Sequence, residues 1–435
     1  MTRPAPSRTG SPRPSRRAVL AGLGAAALAP AALAAPAVRA AAPARVVVVG
    51  GGFAGASCAR ALAGAGGIAV TLVEPSADYV ACPFSNAVIA GLRDLRRQTF
   101  EVAALARVPG LAHAPRAAVA VDADARRVRL DDGTQLAYDR LVLAPGIEVR
   151  LDAIAGYDAA AAEAMPHAWK AGSQTLALRR QLAAMPDGGV VVIAAPPNPF
   201  RCPPGPYERA SLIAHFLKTH KPRAKVLILD AKDAFSKQRL FEEAWAARYP
   251  GMIEWVSLSF GGRVIEVDAA ARTLVTEFGR HRADVANVIP PQRAGPIAAA
   301  AGVADASGWC PVDPVTFESR LVPEIHVIGD AAIGGAMPKS AFTANGQALV
   351  CAAAVADLLA GRASAEPKLV NTCYSLVAPD AAISIAGVYR PRDGLLAEVA
   401  GAGGTSPLGA PEAVRAAEAA YAAAWFETLT RRVYA

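Results

Sequence analysis

The stretch VVVVGGGFAGASCARALAGAGGIAVTLVEPSADYVACPFSN, Val46 to Asn86, decides how the rest of the chain is read. An apolar β-branched run, Val46–Val49, breaks into a turn where Gly50, Gly52 and Gly55 stand at G-x-G-x-x-G spacing. A helix of small residues follows, then a second apolar strand, Ile68–Val73, that stops at Glu74. The first glycine makes the tight turn, the second lets backbone N–H groups approach a pyrophosphate, and the third lets the helix pack close to the sheet. The positive end of the helix dipole then faces the phosphates. Glu74, 24 residues after Gly50, stands where a carboxylate accepts from an adenosine ribose. Strand, turn, helix, strand and acid in this order predict a dinucleotide-binding βαβ unit. Cys82, eight residues beyond Glu74, is the unusual feature.

The first 40 residues read as a separate object. Ser15-Arg16-Arg17 precedes an alanine-rich apolar run, Ala18 to Leu33, and Val38-Arg39-Ala40 offers a small-residue cleavage site. This is the pattern of a twin-arginine export signal, which predicts a periplasmic protein, with an uncleaved N-terminal anchor as the alternative. Pro30 and Pro36 make the run a poor spanning helix. Without its six arginines the formal charge falls from +8 to +2, so the basic balance belongs to the leader and nothing points to nucleic acid. The 53% hydrophobic content excludes disorder and is swollen by alanine.

Two further strand ends extend the pattern. Leu141–Leu143 breaks into Ala144-Pro145-Gly146, and Ile325–Ile328 ends in Gly329-Asp330, where an acid can reach the ribityl hydroxyls of a flavin. Together with the glycine turn these resemble flavoproteins of the glutathione-reductase-like class, in which a second domain is inserted into the FAD domain. The expected fold is therefore α/β: two Rossmann-like dinucleotide-binding domains plus a smaller C-terminal α+β domain. The segments are 1–40 (signal), 41–150 and 291–366 (FAD domain), 151–290 (insertion) and 367–435 (C-terminal domain). The insertion has its own strands, Gly189–Ile193 and Val226–Leu229. Yet the loop after Ile193 reads Ala194-Ala195-Pro196-Pro197-Asn198-Pro199-Phe200. Three prolines remove N–H donors and no glycine permits close approach, so the nicotinamide site is expected to be lost.

The six cysteines form no C-x-x-C and no C-x-x-C-H, which leaves haem attachment off this chain. Metal-ligand spacing is absent too. Cys58 and Cys351 read as small buried hydrophobes, and Cys310 as buried. Cys202 differs: it sits in Pro199–Arg209, a rigid loop opening a helix, beside Arg201. That setting favours thiolate over thiol, with a structural disulfide as the alternative.

Several segments carry a closer resemblance: Val46–Asn86, Pro166–Gly172, Arg201–Arg209, Asn287–Gln292, Gly308–Pro311, Ala336–Ser340 and Asn371–Ser375. In these the chain resembles the flavoprotein subunit of flavocytochrome c sulfide dehydrogenase and, more distantly, sulfide:quinone reductases. The resemblance implies periplasmic oxidation of hydrosulfide, FAD as acceptor, and a c-type cytochrome partner that carries the haem. It also implies that Cys82 bonds the flavin 8α-methyl and that Cys202 and Cys373 form a redox disulfide beside the ring. Glu208 then handles protons, an ion pair with Arg209 or Arg201 being the alternative. Trp425 lies near the flavin, and Gly50, Gly52, Gly55, Glu74 and Asp330 hold its adenosine, pyrophosphate and ribityl parts. Lys339 is a candidate for charge on the reduced ring, or else a solvated lysine. The C-terminal segment would shield the flavin and receive the cytochrome. A reductase that reactivates a sulfur-carrier protein, a quinone-reducing enzyme and a cytochrome-docking scaffold remain the other readings.

Overall fold

The computed structural model describes residues 42–435 together with Met1 and Thr2. The export signal expected over residues 1–40 therefore lies outside the described residues, its first two apart.

Val46–Val49 belong to the central strand, Ala44–Val49, of a five-stranded parallel sheet. Its order is Ile325–Val327, Arg140–Leu143, Ala44–Val49, Ile68–Val73 and Leu111–Ala114. A parallel strand buried on both faces needs an unbroken apolar run, and Val46, Val47, Val48, Leu72 and Leu141–Leu143 are all buried. The last strand to join this sheet arrives some 180 residues after its neighbour in space. Between them runs a second parallel sheet, ordered Ile253–Val256, Lys225–Asp230, Val190–Ala195 and Val285–Val288. The third sheet is antiparallel, built from Leu369–Ala378, Ala381–Arg392, Leu395–Glu398 and Gly404–Thr405. The helix Glu412–Tyr434 packs on it. The architecture is thus mixed α/β with two parallel Rossmann-like cores and a C-terminal α+β unit.

The helix Phe53–Gly64 lies close on the first sheet because Gly55 has no side chain. A Cβ there would fall 1.8 Å from the Gly50 carbonyl oxygen. Small residues continue on its other side, where it packs against Ala341–Leu359; Asn345 Nδ2 donates to Ser57 Oγ at 2.9 Å. Ala341–Leu359 is long and apolar enough to cross a membrane, with mean hydropathy 1.4, and 44% of that window is buried inside the protein.

In the second core, the strand Val190–Ala195 is followed not by a tight glycine turn but by a loop to Pro204, then the helix Gly205–His220. Asp230, at the end of the next strand, is fully buried. It accepts from Tyr207 Oη and Trp255 Nε1 and pairs with Lys232. The position at which a Rossmann acid would meet a ribose is therefore filled by protein groups.

Candidate functional site

The site is assembled where the three sheets meet. A cavity of about 590 Å3 is lined by Gly50, Gly52, Glu74, Cys82, Cys202, Glu208, Asp330, Cys373 and Trp425, among others. Nine of the eleven residues singled out in the sequence thus share one wall. Gly55 lies beneath it, giving the close helix packing described above.

At the first end, Gly50 has φ +108°, the left-handed side that a Cβ disfavours. A Cβ on it would fall 2.3 Å from the Ala144 carbonyl oxygen. Glu74 reaches back, accepting from Gly51 N–H at 2.7 Å and Ser76 N–H at 3.0 Å. Gly52 caps the helix without a side chain, so the first-turn N–H donors have no side-chain acceptor. The last turn of the chain closes over this turn. Tyr434 Oη donates to the Gly51 carbonyl at 3.0 Å, and its ring stacks on Tyr79 and Phe100 at 5.5 and 5.2 Å.

At the other end stand the sulfurs. Cys202 adopts φ +58°, and its N–H donates to the Lys339 carbonyl at 2.8 Å. Phe84 and Ala168, also on the cavity wall, have φ +66° and +46°. Left-handed non-glycine backbone gathered at one cavity is the pattern of a constrained functional site. Cys373 enters from the third sheet, opposite Ile385. All six cysteines are free in this structure, so the Cys202–Cys373 bond implied by the resemblance is not formed in it.

The expectation that Cys202 favours thiolate does not hold. Burial pushes its thiol well above the ordinary range, Cys373 and Glu208 add to that, and Arg201 offsets only part. Arg201 is turned away: it donates to the Trp169 carbonyl and lies 3.9 Å from Asp330. Burial also raises Cys373, against the pull of Lys237.

Glu208 makes neither of the ion pairs considered. Its Oε1 accepts from Leu376 N–H at 3.1 Å and its Oε2 from Asn86 Nδ2 at 3.2 Å, and burial raises its carboxyl. Arg209, buried beside it, instead donates to Asn86 Oδ1, Asn287 Oδ1 and the carbonyls of His167 and Ala168, all at 2.8–2.9 Å. Its guanidinium lies 4.9 Å from the Trp169 ring centroid.

Lys339 is placed neither in solvent nor on the cavity wall. Its Nζ donates to the carbonyls of Asp330 and Ala332 at 2.8 Å and sits 3.9 Å over Trp309, and burial lowers it to about 8. Its backbone carbonyl is what holds Cys202. Trp425 does line the cavity, stacked on Phe342 at 5.8 Å. Cys310 is buried, its thiol pushed up to about 12, and Cys58 and Cys351 are buried in the helix contact.

Asn86, Trp169, Lys237 and Tyr434 shape the site without having been assigned a role in the sequence, and Arg209 was considered there only as an ion-pair partner of Glu208. Asn86 closes the opening stretch, and Trp169 and Arg209 stand inside motifs of the resemblance. Lys237 and Tyr434 carried no sequence signal: neither stands in a motif or beside a residue that pointed to the site.

The cavity fits a flavin dinucleotide on its own donors and acceptors. Asp330 Oδ1 and Trp169 Nε1 are buried on its wall without a hydrogen-bond partner, and the glycine turn leaves space where side chains would fill it.

The fold and this site define a flavoprotein of the two-dinucleotide-domain class. Residues 44–193 match the family model Pyridine nucleotide-disulphide oxidoreductase. Residues 175–290 match "Sulfide dehydrogenase [flavocytochrome c] flavoprotein chain, central", and 365–433 match "Flavocytochrome c sulphide dehydrogenase, flavin-binding". The chain belongs to the sulfide dehydrogenase and sulfide:quinone oxidoreductase type of flavoproteins. It is 64% identical over 45 residues to the sulfide dehydrogenase [flavocytochrome c] flavoprotein chain of Chlorobaculum thiosulfatiphilum, covering 10% of this chain and 94% of that sequence. It is 26% identical over 309 residues to the mitochondrial sulfide:quinone oxidoreductase of Mus musculus, covering 66% of this chain and 65% of the mouse protein. In structure it is similar to the sulfide:quinone oxidoreductase of Aquifex aeolicus, with TM-score 0.72, 17% identity, and coverage of 89% and 92% of the two chains.

Proposed function

We propose that this chain is a FAD-dependent sulfide dehydrogenase of the periplasm, exported by the twin-arginine route, that passes electrons from hydrosulfide to a c-type cytochrome subunit. The observation that carries this reading is the meeting of Cys202 and Cys373 with Glu208 in the cavity whose far end holds Gly50, Gly52 and Glu74. Sulfur chemistry and a dinucleotide site thereby share one enclosure. The prolines after Ala195 and the occupied Asp230 speak against a nicotinamide donor.

In the resting state the two cysteines form a disulfide. Hydrosulfide bonds one sulfur, the S–S bond breaks, and its electron pair leaves on the other sulfur. A cysteine persulfide and a thiolate result, and the single negative charge is conserved. Bound FAD supplies a two-electron acceptor that can release electrons singly. Glu208, its carboxyl raised by burial and aimed by Asn86 and Leu376, carries the proton at the reacting sulfur. Gly50, Gly52 and Glu74 would hold the adenosine and pyrophosphate, Asp330 the ribityl chain, and Cys82 the covalent tether. Trp425 and Ala422 bring the C-terminal helix to the cavity, which fits a shielding role.

The test is anaerobic addition of sulfide to the purified flavoprotein. The flavin band should bleach, and Cys202→Ser or Cys373→Ser should abolish that; normal bleaching in either variant would refute the scheme. A quinone acceptor is the second reading, favoured by the likeness in sequence to the mitochondrial sulfide:quinone oxidoreductase of Mus musculus. Mixing the sulfide-reduced protein with a c-type cytochrome and, separately, with a short-chain quinone decides between them.

A further inference from the structure

Lys237 is the one buried ammonium among the described residues that lies beside the cysteine pair, and the chemistry above leaves it unused. It is 7% exposed and has φ +62°, another left-handed non-glycine position. Its Nζ donates to the Cys373 carbonyl at 2.9 Å, to Ser375 Oγ at 2.8 Å and to the Ile383 carbonyl at 3.3 Å. All three partners are neutral, and among the described residues no carboxylate lies within 4.0 Å of it. Burial lowers its ammonium, against the pull of Cys373, Glu208 and Cys202, and its neutral hydrogen-bond partners do not offset that cost as a nearby anion does.

We infer that Lys237 is a positioning residue that provides the fixed counter-charge for anionic sulfur on Cys373. This rests on the dithiol reading of Cys202 and Cys373. Whichever sulfur hydrosulfide attacks, Cys373 carries an anion. If Cys202 is attacked, Cys373 leaves as the thiolate. If Cys373 is attacked, it becomes a persulfide, which passes its proton to the departing Cys202 thiolate and is then the anion. The other groups facing the pair oppose this charge or are already satisfied. Glu208 on the helix Gly205–His220 repels it. Glu418 on the C-terminal helix is held by Ser384, Ser406 and Arg415. Arg201 is spent on Asp330 and Trp169. Lys237 is also the main charge that counters burial at the Cys373 thiol.

The experiment reads thiol ionisation rather than turnover. In full-length flavoprotein carrying Cys202→Ser, the rate of iodoacetamide alkylation at Cys373 is followed against pH by mass spectrometry. Lys237→Gln should move the profile alkaline and slow alkylation at pH 7 about tenfold for each unit of the shift. Lys237→Arg, which keeps the charge, and Ser375→Ala, which removes only one hydrogen bond, should stay within about threefold of the parent. An unchanged profile in Lys237→Gln, or an equal loss in Lys237→Arg, overturns the inference. A measurement with Lys237 intact gives the same decision if the Gln variant does not fold. Cys373 in Cys202→Ser should titrate below Cys202 in Cys373→Ser, and the reverse order overturns the inference. Failure of sulfide to bleach the flavin would sink the proposed function but leave these profiles unaltered, so the two failures are distinguishable.

Discussion

Asn86 Nδ2 lies 3.2 Å from Glu208 Oε2, and this contact joins the end of the dinucleotide-binding stretch to the acid beside the cysteines. Arg209 fixes which way the amide points, because its Nε donates to Asn86 Oδ1 at 2.9 Å and leaves Nδ2 for the carboxyl. The same Nδ2 reaches the Gly205 carbonyl at 3.3 Å. Glu208 is thereby oriented by neutral donors rather than by a cation, the arrangement that keeps a buried carboxyl available as an acid.

Replacing Glu208 with Gln keeps the shape of the side chain but removes the proton, and its one amide oxygen can accept from only one of Leu376 N–H and Asn86 Nδ2. Sulfide-dependent flavin reduction should slow about a hundredfold in stopped flow, with flavin content unchanged. Stability should respond in the opposite sense. Because the folded carboxyl is raised, wild type is at its most stable below the ordinary carboxylate range and loses stability as pH rises through the folded value. The Gln variant should lack that component, which thermal melts at acid and neutral pH would reveal.

His167 gives the reverse pH dependence. Its Nδ1 accepts from Trp169 N–H at 2.9 Å, and burial, with Arg209 nearby, lowers it to about 4. The unfolded chain takes up this proton below about 6.5, the folded chain only near 4. Stability from this group is therefore present above about 6.5 and is lost as pH falls toward 4. His167→Gln should flatten that part of the melting curve; an unaltered pH dependence would remove His167 from this role.

Gly55 and Gly64 lie on one helix and should behave oppositely. A Cβ at Gly55 would fall 1.8 Å from the Gly50 carbonyl oxygen, so Gly55→Ala should cost more than about 4 kcal/mol or give no soluble flavoprotein. Nothing lies within 4 Å of a Cβ at Gly64. Gly64→Ala should therefore raise stability by about 0.5–1 kcal/mol, read by urea unfolding.

Acid precipitation tests the tether. The wild-type pellet should be yellow and the Cys82→Ser pellet colourless, its flavin released to the supernatant. A colourless wild-type pellet would place Cys82 on the wall as a non-covalent neighbour.

The first core was legible because its signals are local: an apolar run, a glycine spacing and an acid at the strand end all act within some thirty residues. Composition alone also identified the second core as one whose loop had lost its glycines. The proline loop's other consequence was not local. It carries Cys202 across to the first core, and there burial, not the adjacent Arg201, governs the thiol. Nor do neighbours in sequence disclose that Lys339 holds Cys202 through a backbone carbonyl while its ammonium turns to Trp309. Sequence by itself determined the dinucleotide turn and which cysteines to suspect. Only tertiary structure decided that Asn86 aims Glu208, that Lys237 stands behind Cys373 and that Tyr434 closes on Gly51. The reason is physical: charge and ionisation depend on desolvation and on groups brought from distant segments, and neither is encoded in the spacing of residues along one strand or helix.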